Sequence, residues 1–497
     1  VRGALALPPS LRDHLLAVRG YSRAGGQAGL QAGGRSGIAE HWFCDQQQDH
    51  FDADNKVRWC QRYFVNRTHW DGHGRRGPVF LCVGGEGPPL EADVVSQSVH
   101  CNDMVELAER LGAMMFAVEH RYYGRSIPAV PDFSTRSLRF LSSRQALADL
   151  ARFHAFATEA FALQGAKWVT FGGSYPGMLA GFARLKYAGV FHAAVSSSAP
   201  VRAQVDFRGY LDVVAASLAQ PSVGGSTACA AAVQEGHAEI GRRLETEGGR
   251  RELERLFRLC GERPLDSADS RALWAGSGVV PVDAQEDAPG CEGPLCNIRR
   301  LCAAVGESAE ADSVAMLASL SASVSGGECV DVAYDGYVRQ LTNTTLEGGA
   351  GRIWFYQTCN EFAFYQTCEV GSNCPFTRGL NTLGFNLQQC AAAFNISADT
   401  VRANVEESNR YYGADRPRGT RVLYPNGQID PWSYLSVLVT PGPGLPTLWV
   451  PGASHHYWTR PSQPSDAVED TRAKRAIWEQ VTQWLREDDD ASATLVI

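Results

Sequence analysis

A chain of 497 residues is too long for one compact core, so two domains, or one core carrying a large insertion, are expected. Its 44% hydrophobic and 20% charged residues are an ordinary globular balance. The net charge of −8, without a Lys/Arg run or basic stripe, argues against a nucleic-acid partner, and no run of about 18 apolar residues exists to span a membrane.

Residues 1–40 are rich in Gly, Ala and Arg and read as a leader or loose arm. The chain begins at Val1 without a charged-then-apolar signal segment, so it reads as a mature or truncated chain lacking its targeting segment. Ordered structure is expected from about His41. The apolar run 78–83 predicts a buried strand that ends in a tight loop, Gly84-Gly85-Glu86-Gly87. A helix over 103–111 and a second buried strand over 113–118 follow. Three- and four-residue apolar spacing predicts a helix over 143–163, with Ser143 as N-cap. A strand over 167–171 runs into Gly172-Gly173-Ser174, then a helix over 176–187 and a strand over 192–195. Strand and helix alternating in this way predict a parallel sheet covered on both faces.

The pattern changes from about 205 to 350. This stretch is mainly helical, holds six cysteines, and includes a Gly/Pro/Asp-rich loop over 276–294. It reads as a helical cap inserted into the sheet domain. Strands return at 421–424 and 447–450, and a last helix over 474–486 carries Ile477, Val481, Trp484 and Leu485 on one stripe. The expected division is a core over 41–204, a cap over 205–350, the rest of the core over 351–487 and an acidic, solvated tail over 488–497.

The chain has 14 cysteines, an even number. They fit no zinc-ligand spacing; scattered buried thiols are the plainer alternative to disulfides. Three sequons, at Asn66, Asn343 and Asn395, tip the balance toward disulfides and passage through the secretory pathway. The pairing itself stays open. No metal or cofactor is implied.

Three segments carry chemistry. A serine hydroxyl becomes a good nucleophile only when a base takes its proton and a third group orients that base. Ser174 lies between a predicted strand and helix, in a Gly-rich turn resembling the G-x-S-x-G elbow, with Pro176 in place of the second Gly. The backbone N–H of Tyr175 is the expected oxyanion donor, and Pro176 does not remove it. A second donor should come from the loop after the first core strand, at Gly85. Asp430 follows the strand 421–424 and His455, paired with His456, follows the strand 447–450. Singly, these are a Gly-rich turn, a common Asp-Pro turn and a solvated His pair. Together, in the order Ser, Asp, His and each at a strand end, they predict an α/β-hydrolase with an inserted helical cap.

The wording of several segments goes further. Gln48-Asp49-His50-Phe51 with 61–66, the loop 84–88, Glu119-His120-Arg121-Tyr122-Tyr123-Gly124, the stretch 141–150, the Ser174 turn, Ser196-Ser197-Ser198-Ala199-Pro200 and Tyr356-Gln357-Thr358-Cys359 resemble the S28 serine peptidase family, over about residues 41–487. The repeated Tyr-Gln-Thr-Cys, at 356–359 and 365–368, is most similar to the thymus-specific branch. The resemblance implies opening strands around 48–51 and 61–66, and an exopeptidase that cleaves short peptides, often after proline. It implies Ser174, Asp430 and His455 as the triad, with His455 preferred over His456. It also implies Met178 and Trp432 as the lining of a proline-accepting pocket, although plain core packing would suit both. Glu86 and Glu119 stand near this site; either would suit a substrate amine, but buried ion pairing with Arg121 or Arg125 is their expected role. Peptides are thus the expected partners, in a secreted or lysosomal setting, and nothing in the sequence argues for or against a homodimer. Two other readings remain: an esterase or lipase, against which the lack of an HGGG loop argues weakly, and a binding protein that keeps the scaffold without catalysis.

Overall fold

The structure, a computed structural model, describes residues 38–70, 77–346 and 349–494. The expected leader or arm therefore lies outside the described residues, except for 38–40, and Glu40 already opens the first strand.

Among the described residues ten strands are formed: β1 Glu40–Gln47, β2 Arg58–Asn66, β3 Val79–Val83, β4 Met114–Val118, β5 Trp168–Gly173, β6 Ala193–Ser197, β7 Gln204–Asp206, β8 Ala363–Tyr365, β9 Val422–Gly427 and β10 Thr447–Val450. Eight of them make one sheet in the order β1-β2-β4-β3-β5-β6-β9-β10. β1 and β2 pair antiparallel, β2 runs antiparallel to β4, and every later pairing is parallel. This is the α/β-hydrolase sheet, and it matches the expected parallel core.

The central strands read as unbroken apolar runs because both faces are covered. Along β3 the side chains alternate: Val79, Leu81 and Val83 enter one apolar cluster, while Phe80 and Cys82 enter the other. The first cluster includes Phe153 and Leu147 of the helix Ser143–Ala160 and Leu179 and Phe182 of the helix Ser174–Lys186. The second includes Met104 of the helix Asn102–Leu111, and Ile477, Val481 and Trp484 of the helix Val468–Thr494. That last helix runs on through Asp488-Asp489-Asp490, so its backbone continues where a separate acidic tail was expected.

Between β6 and β9 the chain is mainly helical, from Arg208–Leu218 to Ala398–Tyr412, with β7 and β8 pairing as a small separate sheet. The main sheet resumes at Val422, where the strand over 421–424 was expected. The aromatic run from Trp354 to Tyr365 has core composition, yet it forms a helix end, a π-helical turn Thr358–Phe362 and the short β8. Two further expectations change. Gln48 to Phe51 lies in the loop after β1, where Asp49 accepts from Phe51 N. Ser142, not Ser143, caps the helix, accepting from Gln145 N.

Ser143 is diverted by a distant partner. Its N and Oγ both donate to the carboxylate of Glu361 in the π-turn, the hydroxyl at 2.6 Å. Burial pushes the Glu361 carboxyl up to about 7. A raised folded pKa gives stability that is present below the unfolded value, about 4.3, and lost as pH rises through about 7. Glu361→Gln should therefore narrow the difference in Tm between pH 5 and pH 8, by raising the pH 8 value relative to wild type. Thermal unfolding at the two pH values checks this, and an unchanged difference contradicts it.

All 14 cysteines pair, with none left free. Cys44–Cys60 joins β1 to β2, and Cys82–Cys101 ties β3 to the residue capping the helix Asn102–Leu111. Cys229–Cys302, Cys260–Cys329, Cys291–Cys296, Cys359–Cys390 and Cys368–Cys374 all lie in the helical region between β6 and β9. Of the three sequons, Asn343 and Asn395 are exposed. Asn66 is not available for a glycan: it is 6% exposed, ends β2, and donates its side-chain amide to Val95 O at 2.7 Å.

Candidate active site

Ser174 sits where β5 turns into the helix Ser174–Lys186, with φ of 63°, the left-handed region that non-glycine residues rarely occupy. Such strain persists only where the surroundings fix it. Here they do. A Cβ on Gly172 would stand 2.4 Å from the carbonyl oxygen of Pro176, so only glycine lets the strand end approach the helix so closely. The departure from the elbow pattern at Pro176 has a structural complement. Its ring lies over Gly85, where a Cβ would come within 2.2 Å of Pro176 Cγ. The loop after β3 thus abuts the first turn of the helix, bringing Gly85 beside the elbow. The first N–H groups of a helix, Tyr175 N among them, have no partner inside it and are open to an anion.

Asp430 follows β9 and His455 follows β10. His455 Nδ1 lies 2.8 Å from Asp430 Oδ1, and both residues are buried. A carboxylate only accepts, so Nδ1 carries a proton, and in the neutral ring the lone pair is then on Nε2. That Nε2 is buried without a hydrogen-bond partner. Asp430 Oδ1 also accepts from Trp432 N at 2.9 Å, capping the turn Pro431–Leu435. His456 has other tasks: its N donates to Ser198 Oγ at 2.8 Å, and its Nδ1 lies 3.1 Å from Thr459 Oγ1. Burial, with His455 and Arg460 nearby, holds its imidazole well below the usual range and therefore neutral. The His456 ring lies against Gly173, whose Cβ would be 2.7 Å from it, and 4.4 Å from the His455 ring. The His loop is therefore packed on the Ser174 turn.

The 285–287 segment, which the sequence offers only as loop, secures this arrangement. Gln285 O accepts from His455 N at 3.1 Å, and Gln285 Oε1 accepts from Trp432 Nε1 at 2.8 Å and from Tyr210 OH at 2.9 Å. Asp287 O accepts from Ser454 Oγ. No motif marks Gln285. Trp432 is buried 6.2 Å from the His455 ring, among Phe207, Tyr210 and Phe364. Met178 is fully buried in the large apolar cluster, as a packing residue would be.

The acidic residues differ from expectation. Glu119 pairs with Arg62 at 3.1 Å, because β2 and β4 are neighbours, and it accepts from Arg125 only through the backbone N. Arg121 binds Asp149 instead, and the Arg125 guanidinium binds Glu40. Among the described residues Glu86 forms no ion pair. Burial pushes its carboxyl up to about 7, with His455 opposing the shift.

A parallel sheet of this order, with an elbow serine followed along the chain by a buried Asp–His pair at the ends of β9 and β10, defines an α/β-hydrolase. Comparison with known proteins narrows the class. The serine carboxypeptidase S28 family profile matches residues 46–477. Thymus-specific serine protease of Homo sapiens is 36% identical over 494 residues, covering 96% of this chain and 92% of that protein. The Mus musculus protein of the same name is also 36% identical, covering 96% and 93%. Lysosomal Pro-X carboxypeptidase of Bos taurus is 27% identical over 463 residues, covering 89% and 87%. The chain belongs to the S28 family and is a serine-type exopeptidase.

Proposed function

We propose that this peptidase hydrolyses short peptides next to proline, with Ser174 as nucleophile, His455 as general base and Asp430 as the carboxylate that orients it. The observation that carries the reading is the buried Asp430–His455 bond of 2.8 Å, with the opposite imidazole nitrogen left without a partner and the neighbouring His456 ring packed on the strained serine turn. In this scheme His455 Nε2 takes the Ser174 proton as the hydroxyl attacks the scissile carbonyl. The N–H of Tyr175 and the Gly85 loop receive the oxyanion. His455 then gives its proton to the leaving amine, and water releases the acyl group by the same steps. Trp432, buried with its aromatic neighbours 6.2 Å from the His455 ring, would line the proline-accepting pocket in this reading. The preference for proline rests on the bovine relative's name and on this aromatic cluster.

A fluorophosphonate probe should label Ser174 alone, and a prolyl dipeptide reporter should be turned over at a higher kcat/KM than a p-nitrophenyl ester. Labelling elsewhere removes the nucleophile assignment, and preference for the ester favours the esterase reading. Seven disulfides support residence in an oxidising compartment of the secretory pathway. Lysosomal rather than secreted residence, glycans on Asn343 and Asn395, and a homodimer belong to the same proposal.

A further inference from the structure

The residue after the nucleophile is held at its far end by a buried hydrogen-bond chain whose direction can be worked out. His120 Nδ1 lies 2.6 Å from Arg121 O, and a carbonyl only accepts, so Nδ1 carries a proton. Burial holds the His120 pKa down at about 4, so the ring is neutral and Nε2 is an acceptor. The hydroxyl of Tyr175, 3.0 Å from Nε2, must then donate to it. The same hydroxyl accepts from Gln357 Nε2 at 2.8 Å, and Gln357 Oε1 accepts from Tyr123 OH at 2.5 Å. Tyr123, Gln357, Tyr175 and His120 thus form a one-way chain ending on Arg121 O. All four side chains are buried, and each is at most 4% exposed. Trp354 and Phe362 pack on the Tyr175 ring at 5.3 and 5.9 Å.

The members come from three separate parts of the sequence. Tyr175 opens the helix behind Ser174. His120 and Tyr123 follow β4. Gln357 ends the helix Ala350–Gln357, just before the π-turn Thr358–Phe362. Two non-glycine residues with positive φ, Ala363 and Phe364, follow that turn, and Phe364 packs on Trp432. π-turns and strained backbone recur at functional sites. Ser174 itself is strained, and a strained turn keeps its geometry only if its neighbours are pinned. Tyr175 is the first residue after it.

We propose that His120 and Gln357 are positioning residues, which fix the Tyr175 ring and so aim the Tyr175 N–H at the oxyanion. The inference rests on the reading of Ser174 as nucleophile and Tyr175 N as oxyanion donor. A displaced donor loses its effect selectively in the transition state, so kcat should fall and substrate binding should not.

The test is Tyr175→Phe, which keeps the ring and removes the hydroxyl. Active sites are titrated with the fluorophosphonate, so kcat is counted per folded, reactive enzyme. The expected result is a fall in kcat of at least fivefold, KM within twofold of wild type, and a parallel loss of affinity for a peptide aldehyde, whose tetrahedral adduct carries the oxyanion. Adding His120→Phe, or Gln357→Leu should that protein not fold, should lower kcat by less than a further twofold. A fall in kcat below fivefold overturns the proposal, as do fully additive effects or undiminished aldehyde affinity. A role in folding alone would lower Tm and the titrated fraction but leave kcat per site unchanged. Wild-type labelling at Ser174 reads the nucleophile assignment separately, so failure of that assignment is distinguishable from failure of this one.

Discussion

Asp430→Asn is expected to lower kcat about 10,000-fold while leaving a folded enzyme. Asp430 is fully buried, and its Oδ1 accepts from both His455 Nδ1 and Trp432 N. Asn keeps the size but not the charge. If its oxygen keeps these two bonds, the imidazolium formed during attack loses its stabilising carboxylate. If the amide turns its nitrogen toward His455, the ring must carry its proton on Nε2 and can no longer accept one from Ser174. Either orientation disables the base. Asp430 Oδ2 has no partner, so in the first orientation the new amide nitrogen is a buried donor without an acceptor, a cost of about 1–3 kcal/mol. That lowers Tm without unfolding the protein at assay temperature. Steady-state kinetics on titrated enzyme, with circular dichroism as the folding check, decide the matter. A kcat within tenfold of wild type removes Asp430 from the orienting role.

The contrast between what the sequence discloses and what it hides follows the range of the forces. β3, β4, β5 and β6 lie within two residues of their predicted positions, because continuous apolar runs and turn-forming glycines are local signals. Ser174, Asp430 and His455 are legible for the same reason: each stands just past an apolar strand. Ser142 and Ser143 are chemically alike, and only Glu361, 218 residues away, decides which of them is left to cap the helix. The partner of Glu119 depends on β2 lying beside β4, which puts Glu119 N on Arg62 O at 3.0 Å. Asn66 carries a sequon, but the packing of β2 and the carbonyl of Val95 take its amide. Gln285 touches His455, Trp432 and Tyr210 at once, from a stretch whose composition announces only a loop. Local pattern locates strand ends. Which side chains meet across them is set by topology.

Asp149→Ala tests a fully buried charge pair of the core and is expected to lower stability by about 3–5 kcal/mol. Asp149 lies in the helix Ser143–Ala160 and Arg121 in the loop after β4, and both side chains are almost fully buried. The guanidinium binds the carboxylate through two nitrogens, each at 2.6 Å, and His50 Nε2 adds a contact of 2.7 Å. Arg121 also donates to the carbonyls of Gln47, Gln48 and Phe140. Removing the carboxylate leaves the positive charge buried among carbonyls alone, which is the costly way to break such a pair. Burial opposes ionisation of Asp149, but Arg121 and His50 outweigh it and hold the carboxyl below its ordinary value. A lowered folded pKa gives stability that is present above the unfolded value, about 3.9, and lost as pH falls through the folded one. The gap between wild type and Asp149→Ala in urea unfolding should therefore persist at both pH 5 and pH 7, and should close only in stronger acid. A gap under about 1 kcal/mol at pH 7 would rank the pair with exposed salt bridges. Arg121 closes the chain that holds Tyr175: its carbonyl accepts from His120 Nδ1. Loss of Asp149 should thus loosen the Ser174 turn as well as the fold, and the residual kcat of the folded fraction should drop with it.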